Sequence, residues 1–418
     1  MSANGSDTPT PPSAKASEFS PECLRQLEVF KRGSVDLIEE KQLAQMIEQS
    51  LASGKPLRIK FGMDPTSADL HIGHGVQLMK LRAIQDLGHQ IVLIVGDATA
   101  MVGDPSGRSK LRPQLTRGDV EANLKTYTDQ AGLMLDLERT EIRRNSEWFE
   151  SMNFFGVLEL AQRMTVAQMI ERDNFQQRMK DSEPIGVHEF LYPLVQGWDS
   201  VQIDCDFELG GTDQLFNLLA GRRLQQQEGS RPQICMTLPL INGLDGRKMS
   251  KSYGNAIGLT ESARDMVFKI MRIDDEVMGA WFELLTGVAT SEVETLLAGH
   301  PREAKARLGA EIAGFFHGAE AAAEAGAAFD REVRDKALPD DIPKIPWPSS
   351  EVSLPLPNLL RELGLASSTS EARRLVTQGG VRMSGEVIKD PKAIIEPPME
   401  AVHVQVGKKR HAMLLPKQ

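Results

Sequence analysis

Two histidines three residues apart, His71 and His74, close the stretch that runs from Lys60 through Asp64-Pro65-Thr66 to the start of an amphipathic segment. On a helix that spacing puts both rings on one face. The first turn of a helix also has unpaired N–H groups and the positive end of the macrodipole, so imidazole donors there suit an anion, phosphate above all. Histidines at this spacing also occur on ordinary surfaces and in cores, and the pair alone does not decide. A second candidate is Lys248 and Lys251, in a Gly- and Ser-rich loop between Asn242 and Asn255. Ammonium groups there can follow phosphate charge or simply be solvated. A third is Tyr192, Gln196 and Asp199, at i, i+4 and i+7 of one helical stripe. Buried polar groups need partners, so this stripe faces either a solvent cleft or a polar ligand.

The surrounding elements place these residues. Arg58 to Met63 reads as a strand, Asp64-Pro65 as a turn, and a helix begins near Ile72-Gly73 and closes at Gly88. Ile91 to Val95 is a continuous apolar run, as expected of a strand covered on both faces. It leads into a glycine-rich loop, Gly96 to Ser109, that carries Asp104. Strand, helix, strand and loop form a βαβ unit, and open α/β sheets bind ligands at the carboxyl ends of their strands. The loop has neither the P-loop nor the dinucleotide-binding spacing. Glu141 to Asn145 is strand-like, Val187 to Ser200 is helical, and Val201 to Leu209 returns as a strand ending in Gly210-Gly211-Thr212-Asp213-Gln214. A helix from Leu215 to Gln227 and a strand from Met236 to Ile241 follow, while Ser34 to Ser53 carries a helical period. Thr260 to Lys336 reads as helical throughout, with Leu308, Ile312, Phe315 and Phe316 as a core stripe. Six prolines between Pro339 and Pro357 suggest a stiff linker. Beyond it come a short helix, a capping box at Ser368 to Glu371 opening a helix that stops at Gly379-Gly380, a hairpin around Ser384-Gly385, and a last strand pair about Gly407 to Arg410.

With 418 residues the chain has length for two or three domains, and 41% hydrophobic and 25% charged residues with a mean hydropathy of −0.28 are ordinary values for a soluble protein. No apolar run approaches the roughly 20 residues of a membrane span, so no membrane partner is expected. Met1 to Ser20 has neither a secretory core nor the arginines of a transit peptide and reads as a disordered tail. Cys23, Cys205 and Cys235 are odd in number and far apart, which fits a reducing cytoplasm. A net charge of −10 argues against a general nucleic-acid coat. The charge is uneven, however. Leu356 to Gln418 holds ten Lys/Arg against six Asp/Glu, and Arg361, Arg373, Arg374, Arg382, Lys408, Lys409 and Arg410 are expected to make one basic face for an anionic partner.

His71-Ile-Gly-His74 and Lys248-Met-Ser-Lys-Ser252, in that order around a Rossmann-like sheet, resemble the two motifs of class I aminoacyl-tRNA synthetases. Asp64-Pro65-Thr66, Gly103-Asp-Pro-Ser-Gly107, the segment Glu189 to Asp199 and Gly210 to Gln214 resemble the bacterial tyrosyl-tRNA synthetase family. The resemblance runs from about residue 25 to the C-terminus, and the tail is similar to a small RNA-binding domain shared with a ribosomal small-subunit protein. It implies an α/β architecture: a Rossmann-like class I catalytic domain (21–258), an α-helical domain (259–338) and a small α+β RNA-binding domain (356–418), beside the disordered tail (1–20) and the Pro-rich linker (339–355) that composition suggests. It further implies a cytoplasmic, homodimeric tyrosine–tRNA ligase using L-tyrosine, tRNA(Tyr) and ATP with Mg²⁺, with no metal held by the protein itself.

Carried over position by position, the resemblance assigns Asp199 to the phenol of tyrosine. Asp104, Tyr192 and Gln196 would take its ammonium, with Asn145 nearby. Asp64, Gly73, Gly211 and Gln214 would line the adenylate, and Asp213 would face the ribose. Thr66, His71, His74, Arg112, Lys248 and Lys251 would contact the ATP phosphates, and the basic tail residues would contact tRNA. Lys60 and Phe61 depart from the best-known branch, which has a tyrosine as second phenol partner and a cysteine toward the ribose, so the phenol is expected to rest on Asp199 alone.

The implied chemistry asks for no strong general base, because the attacking tyrosine carboxylate is already ionised. It asks for orientation and for donors where phosphate charge grows, with Mg²⁺ accompanying ATP rather than sitting in a protein cage. A site that strands a polar group without the phenol rejects phenylalanine, on the order of 10⁴–10⁵, a magnitude established for this very family. The tryptophan-specific relative and an RNA-binding protein on an idle synthetase scaffold are the competing readings. The Asp199-bearing helix and the basic tail favour tyrosine over the first, and the intact histidines and lysines stand against the second.

Overall fold

The computed structural model describes residues 18–65, 70–106, 116–247, 249, 253–334, 342–348, 352–407 and 410–417. The chain divides into two compact units, Met1–Gly326 and Ala327–Gln418.

The first unit is built on a six-stranded sheet of β1 (Asp36–Ile38), β2 (Arg58–Met63), β3 (Gln90–Val95), β4 (Thr140–Arg144), β5 (Phe207–Gly211) and β6 (Ile234–Leu238). Their spatial order is β1-β6-β5-β2-β3-β4, and all neighbours are parallel except β1, which runs antiparallel on β6. From β2 the chain winds outward through β3 to β4, then starts again at β5 on the other side of β2. The winding therefore reverses between β2 and β5, and the carboxyl ends of those two strands flank the crevice where such sheets bind ligands.

Helices cover the sheet: α1 (Pro21–Lys31), α2 (Glu40–Ser53), α3 (Ile72–Asp86), α4 (Asp97–Val102), α5 (Arg117–Ala131), the short α6 (Ser146–Phe149), α7 (Phe154–Ala161), α8 (Val166–Ile170) and α9 (Asp173–Lys180), then α10 (Tyr192–Gln202) and α11 (Leu215–Gln227). Ile91 to Val95 are all buried, as the apolar run requires. The helical stretch comprises α12 (Ala263–Ile270), α13 (Met278–Leu285), α14 (Thr290–Ala298), α15 (Pro301–His317) and α16 (Ala319–Phe329). It is fastened onto the sheet unit near the end of α1, where the Arg32 guanidinium donates to the carbonyls of Glu283, Thr286 and Val288.

The second unit has β7 (Lys344–Pro346), β8 (Leu354–Pro355), α17 (Leu356–Glu362), α18 (Thr369–Thr377), β9 (Val381–Met383), β10 (Glu386–Ile388), β11 (Ile394–Ile395), β12 (Val402–Val406) and β13 (Arg410–Leu415). Five strands order as β10-β9-β12-β13-β7, and β11 pairs with β8. Leu356, Leu359, Leu360, Ala372 and Val376 from the helices pack on Val381, Val404, Val406, Ala412 and Leu414 from the sheet. The Ser368 hydroxyl accepts from the Glu371 N–H at 3.2 Å, a cap worth about 1 kcal/mol, but the Glu371 carboxylate takes the Ser367 N–H at 2.7 Å instead of that of Ser368, so only the first half of the expected capping box forms. Ser384 and Gly385, at φ +47° and +89°, form the two-residue turn that the strand twist favours.

Four expectations are corrected. Asp36–Ile38 lies inside the expected first helix but forms an edge strand, because its register against Cys235–Thr237 supplies a ladder that local periodicity does not reveal. Val201 and Gln202 complete α10 rather than opening a strand. The chain turns at Asp204, φ +48°, and β5 begins only at Phe207. The strand expected from Met236 to Ile241 lies two residues earlier at its start, at Ile234–Leu238. Lys344–Pro346, expected in the linker, pairs with Met413–Leu415 at a sheet edge, where proline's missing N–H is tolerated, and the neighbouring Trp347 joins the tail core.

Candidate active site

A cavity of 340 Å³ opens at the switch point between β2 and β5. Asp64, His71, Gly73, His74, Asp104, Tyr192, Gln196, Asp199, Gly211, Asp213 and Gln214 all line it, so the sequence candidates from five separate segments meet in one place. Asn145 is fully buried behind the wall. Thr66, Arg112, Lys248 and Lys251 lie outside the described residues, as do Lys408 and Lys409.

At the inner end stands Asp199, 2% exposed. Its Oδ1 accepts the Trp148 indole N–H at 2.9 Å and its Oδ2 the Asn145 amide at 3.4 Å. Burial pushes the Asp199 carboxyl up to about 7, against the downward pull of the nearby Lys60 ammonium and of these two donors. Trp148 carries no signal in the sequence: it lies three residues past Asn145, and nothing in its spacing points to α10.

Along the wall, the Tyr192 hydroxyl donates to Asp64 Oδ2 at 2.8 Å, and Thr99 donates to Asp64 Oδ1 at 2.7 Å. Asp104 accepts the Ser106 N–H at 2.8 Å and the Gln214 amide at 2.9 Å. The buried Arg172 guanidinium bonds the Ser106 hydroxyl and lies 3.7 Å from Asp104. Four carboxylates, two phenols and three amides thus converge on a cavity without a described basic side chain in its wall other than the two histidines, which suits a ligand that brings its own positive charge.

The histidines occupy the other, more open end, where His74 is exposed. They cap α3 reciprocally: His71 Nδ1 accepts the Gly73 N–H at 3.1 Å, and His74 Nδ1 accepts the His71 N–H at 3.2 Å. With Nδ1 an acceptor in both rings, the neutral tautomer carries its proton on Nε2, so each ring is a donor on its far side. Gly73 has to be small, since a Cβ there would sit 2.8 Å from the His71 ring. The same turn is tied to the far side of the lysine loop, because Ile72 N–H donates to the Ile257 carbonyl at 2.9 Å and His71 forms a bridge with Gly258. Met249, from the middle of that loop, lines the cavity.

Lys60 does not line the cavity. Its ammonium, 0% exposed, pairs with Glu208 at 2.9 Å beneath α10, and the carboxylates of Glu208 and Asp199 hold its pKa above the ordinary value although burial works the other way. Removing either partner alone would leave a buried charge, at about 3–5 kcal/mol.

Residues 52–333 match the family model for class I tRNA synthetases (W and Y). The chain belongs to this family. Residues 354–402 match the S4 domain. Among curated relatives, the tyrosine–tRNA ligase of Moorella thermoacetica is 46% identical over 400 residues, covering 94% of this chain and 96% of that one. The tyrosine–tRNA ligase of Burkholderia thailandensis is 47% identical over 408 residues, covering 96% and 98%. Among solved structures, a C-terminally truncated mitochondrial tyrosyl-tRNA synthetase from Aspergillus nidulans aligns with a TM-score of 0.60 at 23% identity, over 72% of this chain and 92% of that one. The tyrosyl-tRNA synthetase of Archaeoglobus fulgidus, solved with L-tyrosine, gives 0.57 at 20% identity, over 73% and 99%. At those identities the structural matches speak for the fold alone.

In the tail unit the described basic residues of the expected patch do not share one face. Arg373 and Arg374 are exposed on α18, and Arg410 reaches back to Glu371 of that helix at 3.1 Å. Arg382 projects from the opposite side of the sheet, because its neighbours Val381 and Met383 point into the core. Arg361 pairs with the adjacent Glu362 at 2.6 Å.

Proposed function

We propose that this chain is a cytoplasmic tyrosine–tRNA ligase that joins L-tyrosine to ATP, releases pyrophosphate, and transfers the tyrosyl group to the 3′-terminal ribose of tRNA(Tyr). The observation that carries the reading is the buried Asp199 carboxylate at one end of a cavity whose other end holds the two Nε2–H donors of His71 and His74. A phenol supplies the hydrogen that Asp199 has room to accept. The tyrosine ammonium lies among Asp104, Tyr192 and Gln196, with Asn145 steadying Asp199 from behind. Asp64, Gly73, Gly211 and Gln214 line the adenylate, and Asp213 faces its ribose. Thr66, Arg112, Lys248 and Lys251 join the histidines on the phosphates.

The tyrosine carboxylate attacks the α-phosphorus, an oxygen–phosphorus bond forms as the bond to pyrophosphate breaks, and negative charge builds on the phosphate oxygens. Imidazole and ammonium donors stabilise that charge in place. Mg²⁺ arrives with ATP, coordinated mainly by phosphate oxygens and water. In the second step the ribose hydroxyl attacks the acyl carbon and AMP leaves. The tail supplies phosphate contacts through Arg361, Arg373, Arg374, Arg382, Lys408, Lys409 and Arg410, which position tRNA without reading its sequence, so affinity falls with salt. Phe154 and Phe155 on α7 are 70% and 72% exposed, and Val166 and Val187 are 64% and 80% exposed. Apolar exposure of that kind supports a homodimer.

The test is amino-acid-dependent exchange of labelled pyrophosphate into ATP. Exchange with tyrosine and not with tryptophan is expected. Exchange with tryptophan would transfer the reading to that relative, and none with either would leave an RNA-binding protein. Deleting Leu356 to Gln418 should preserve exchange and lower tRNA charging by more than about tenfold; equal loss of both would make the tail merely structural.

A further inference from the structure

The Lys60–Glu208 pair lies under the amino-acid end of the cavity, and its hydrogen bonds have a consequence for the ligand. Glu208 is saturated. Its Oε1 takes the Lys60 ammonium at 2.9 Å and the Gln196 side-chain amide at 3.3 Å, while its Oε2 takes the Ser200 hydroxyl at 3.1 Å and the Gln233 amide at 2.5 Å. A carboxylate has about four lone-pair sites, so this one only accepts. Lys60 is equally complete, donating also to the Gln196 main-chain carbonyl and the Ser200 hydroxyl, both at 2.8 Å.

Gln196 has one donating end and one accepting end of nearly the same shape. Against a carboxylate that only accepts, the NH₂ end has to turn toward Glu208, and the carbonyl oxygen turns the other way. There it accepts the amide of the buried Asn217 at 3.0 Å, while the Gln196 side chain itself lines the cavity. The same Asn217 amide reaches Gln214 Oε1 at 2.9 Å, and the Gln214 amide reaches Asp104 at 2.9 Å. One chain of hydrogen bonds therefore links Lys60 to Asp104, with Glu208 accepting from both of its neighbours in the chain and Asn217 donating to both of its own. It crosses from α10 to α11 because Gly197 and Gly221 let the helices touch; a Cβ on Gly197 would lie 2.8 Å from the Gly221 nitrogen.

We propose that Lys60 and Glu208 are positioning residues that fix the polarity of the ammonium site, holding Gln196 with its oxygen toward the substrate. An ammonium only donates, so an acceptor facing it binds and an NH₂ facing it repels. Lys60 thus supports the amino group of the ligand and is no replacement for a second phenol partner. The inference rests on reading Asp104, Tyr192 and Gln196 as the ammonium site.

The test compares equilibrium binding of L-tyrosine with binding of 3-(4-hydroxyphenyl)propionate, which keeps the phenol and carboxylate and lacks the ammonium. The variant is the paired Lys60→Met/Glu208→Gln, which leaves no unpaired buried charge and frees Gln196 to flip. Tyrosine affinity is expected to fall at least about tenfold while the deaminated compound, which also reports that the pocket is folded, changes less than about twofold. Equal loss for both ligands, or a native tyrosine preference that survives in the variant, overturns the proposal alone. Native protein that binds the two ligands equally overturns the reading of the ammonium site and the proposal with it.

Discussion

The two ends of the cavity are built differently. Around Asp199 the polar groups are held by partners from other elements: Trp148 and Asn145 on the carboxylate, Lys60 and Glu208 beneath α10, Asn217 between the two half-buried glutamines. Around His71 and His74 the partners include backbone N–H groups of the same turn, and the rings stand at the exposed end of the cavity. The first arrangement is costly to disturb and rejects a ligand that leaves a member unpaired. The second holds two imidazole donors in register at the open end of the cavity, as a large anion requires. Selection of the amino acid and stabilisation of phosphate charge therefore fall to different ends.

Substitutions that separate binding from rate probe this contrast. The largest effect is expected for Asp199→Ala, which strands the Trp148 N–H and removes the phenol's acceptor. The ratio of kcat/KM for tyrosine over phenylalanine should drop by more than about 100-fold, and an unchanged ratio would remove Asp199 from the account. Next comes Lys251→Ala. The rate of adenylate formation should fall more than about tenfold with tyrosine affinity barely altered, the pattern of a contact made in the transition state. A matching loss of tyrosine affinity would contradict a role on the phosphates.

The smallest effect concerns pH. Asp199, facing the charged Lys60 and Glu208 and the neutral Trp148 and Asn145, is held by burial at about 7. The folded protein therefore keeps this proton to higher pH than an unfolded chain does, and ionising Asp199 costs stability as pH rises toward 7. Tyrosine gains a better acceptor over the same range, so its kcat/KM should climb several-fold as pH rises through about 7. Asp199→Asn should flatten that rise. The same profile in the variant would assign it to another group.

Much of this site is legible in the chain itself, because the signals are local. The His71–His74 turn, the Gly103–Gly107 loop, the Tyr192–Gln196–Asp199 stripe and the Gly210–Gln214 turn each place chemistry within a few residues, and the apolar strand β3 fixes where the sheet runs. What stays hidden is what depends on pairing across the fold. Lys60 and Glu208 are 148 positions apart in sequence and meet only because β2 and β5 are neighbours at the switch point. Asn217 looks like one more polar residue of a helix until Gly197 and Gly221 bring α10 against it. Edge strands β1 and β7 are likewise defined by their partners, and the short run Asp36–Ile38 has no periodicity of its own to distinguish it from a helix start. The basic tail residues read as one patch on charge alone, while the alternation of β9 sends Arg382 to the other side.

The central claim, that the two ends act independently on binding and on rate, is tested most directly by single-turnover adenylate formation in the cycle Asp199→Ala, His74→Ala and the double variant. Tyrosine affinity should fall in the first alone, the rate should fall mainly in the second, and the double variant should show the product of the two effects within about twofold. A double variant no worse than the more damaged single would show that the ends work as one unit and contradict it.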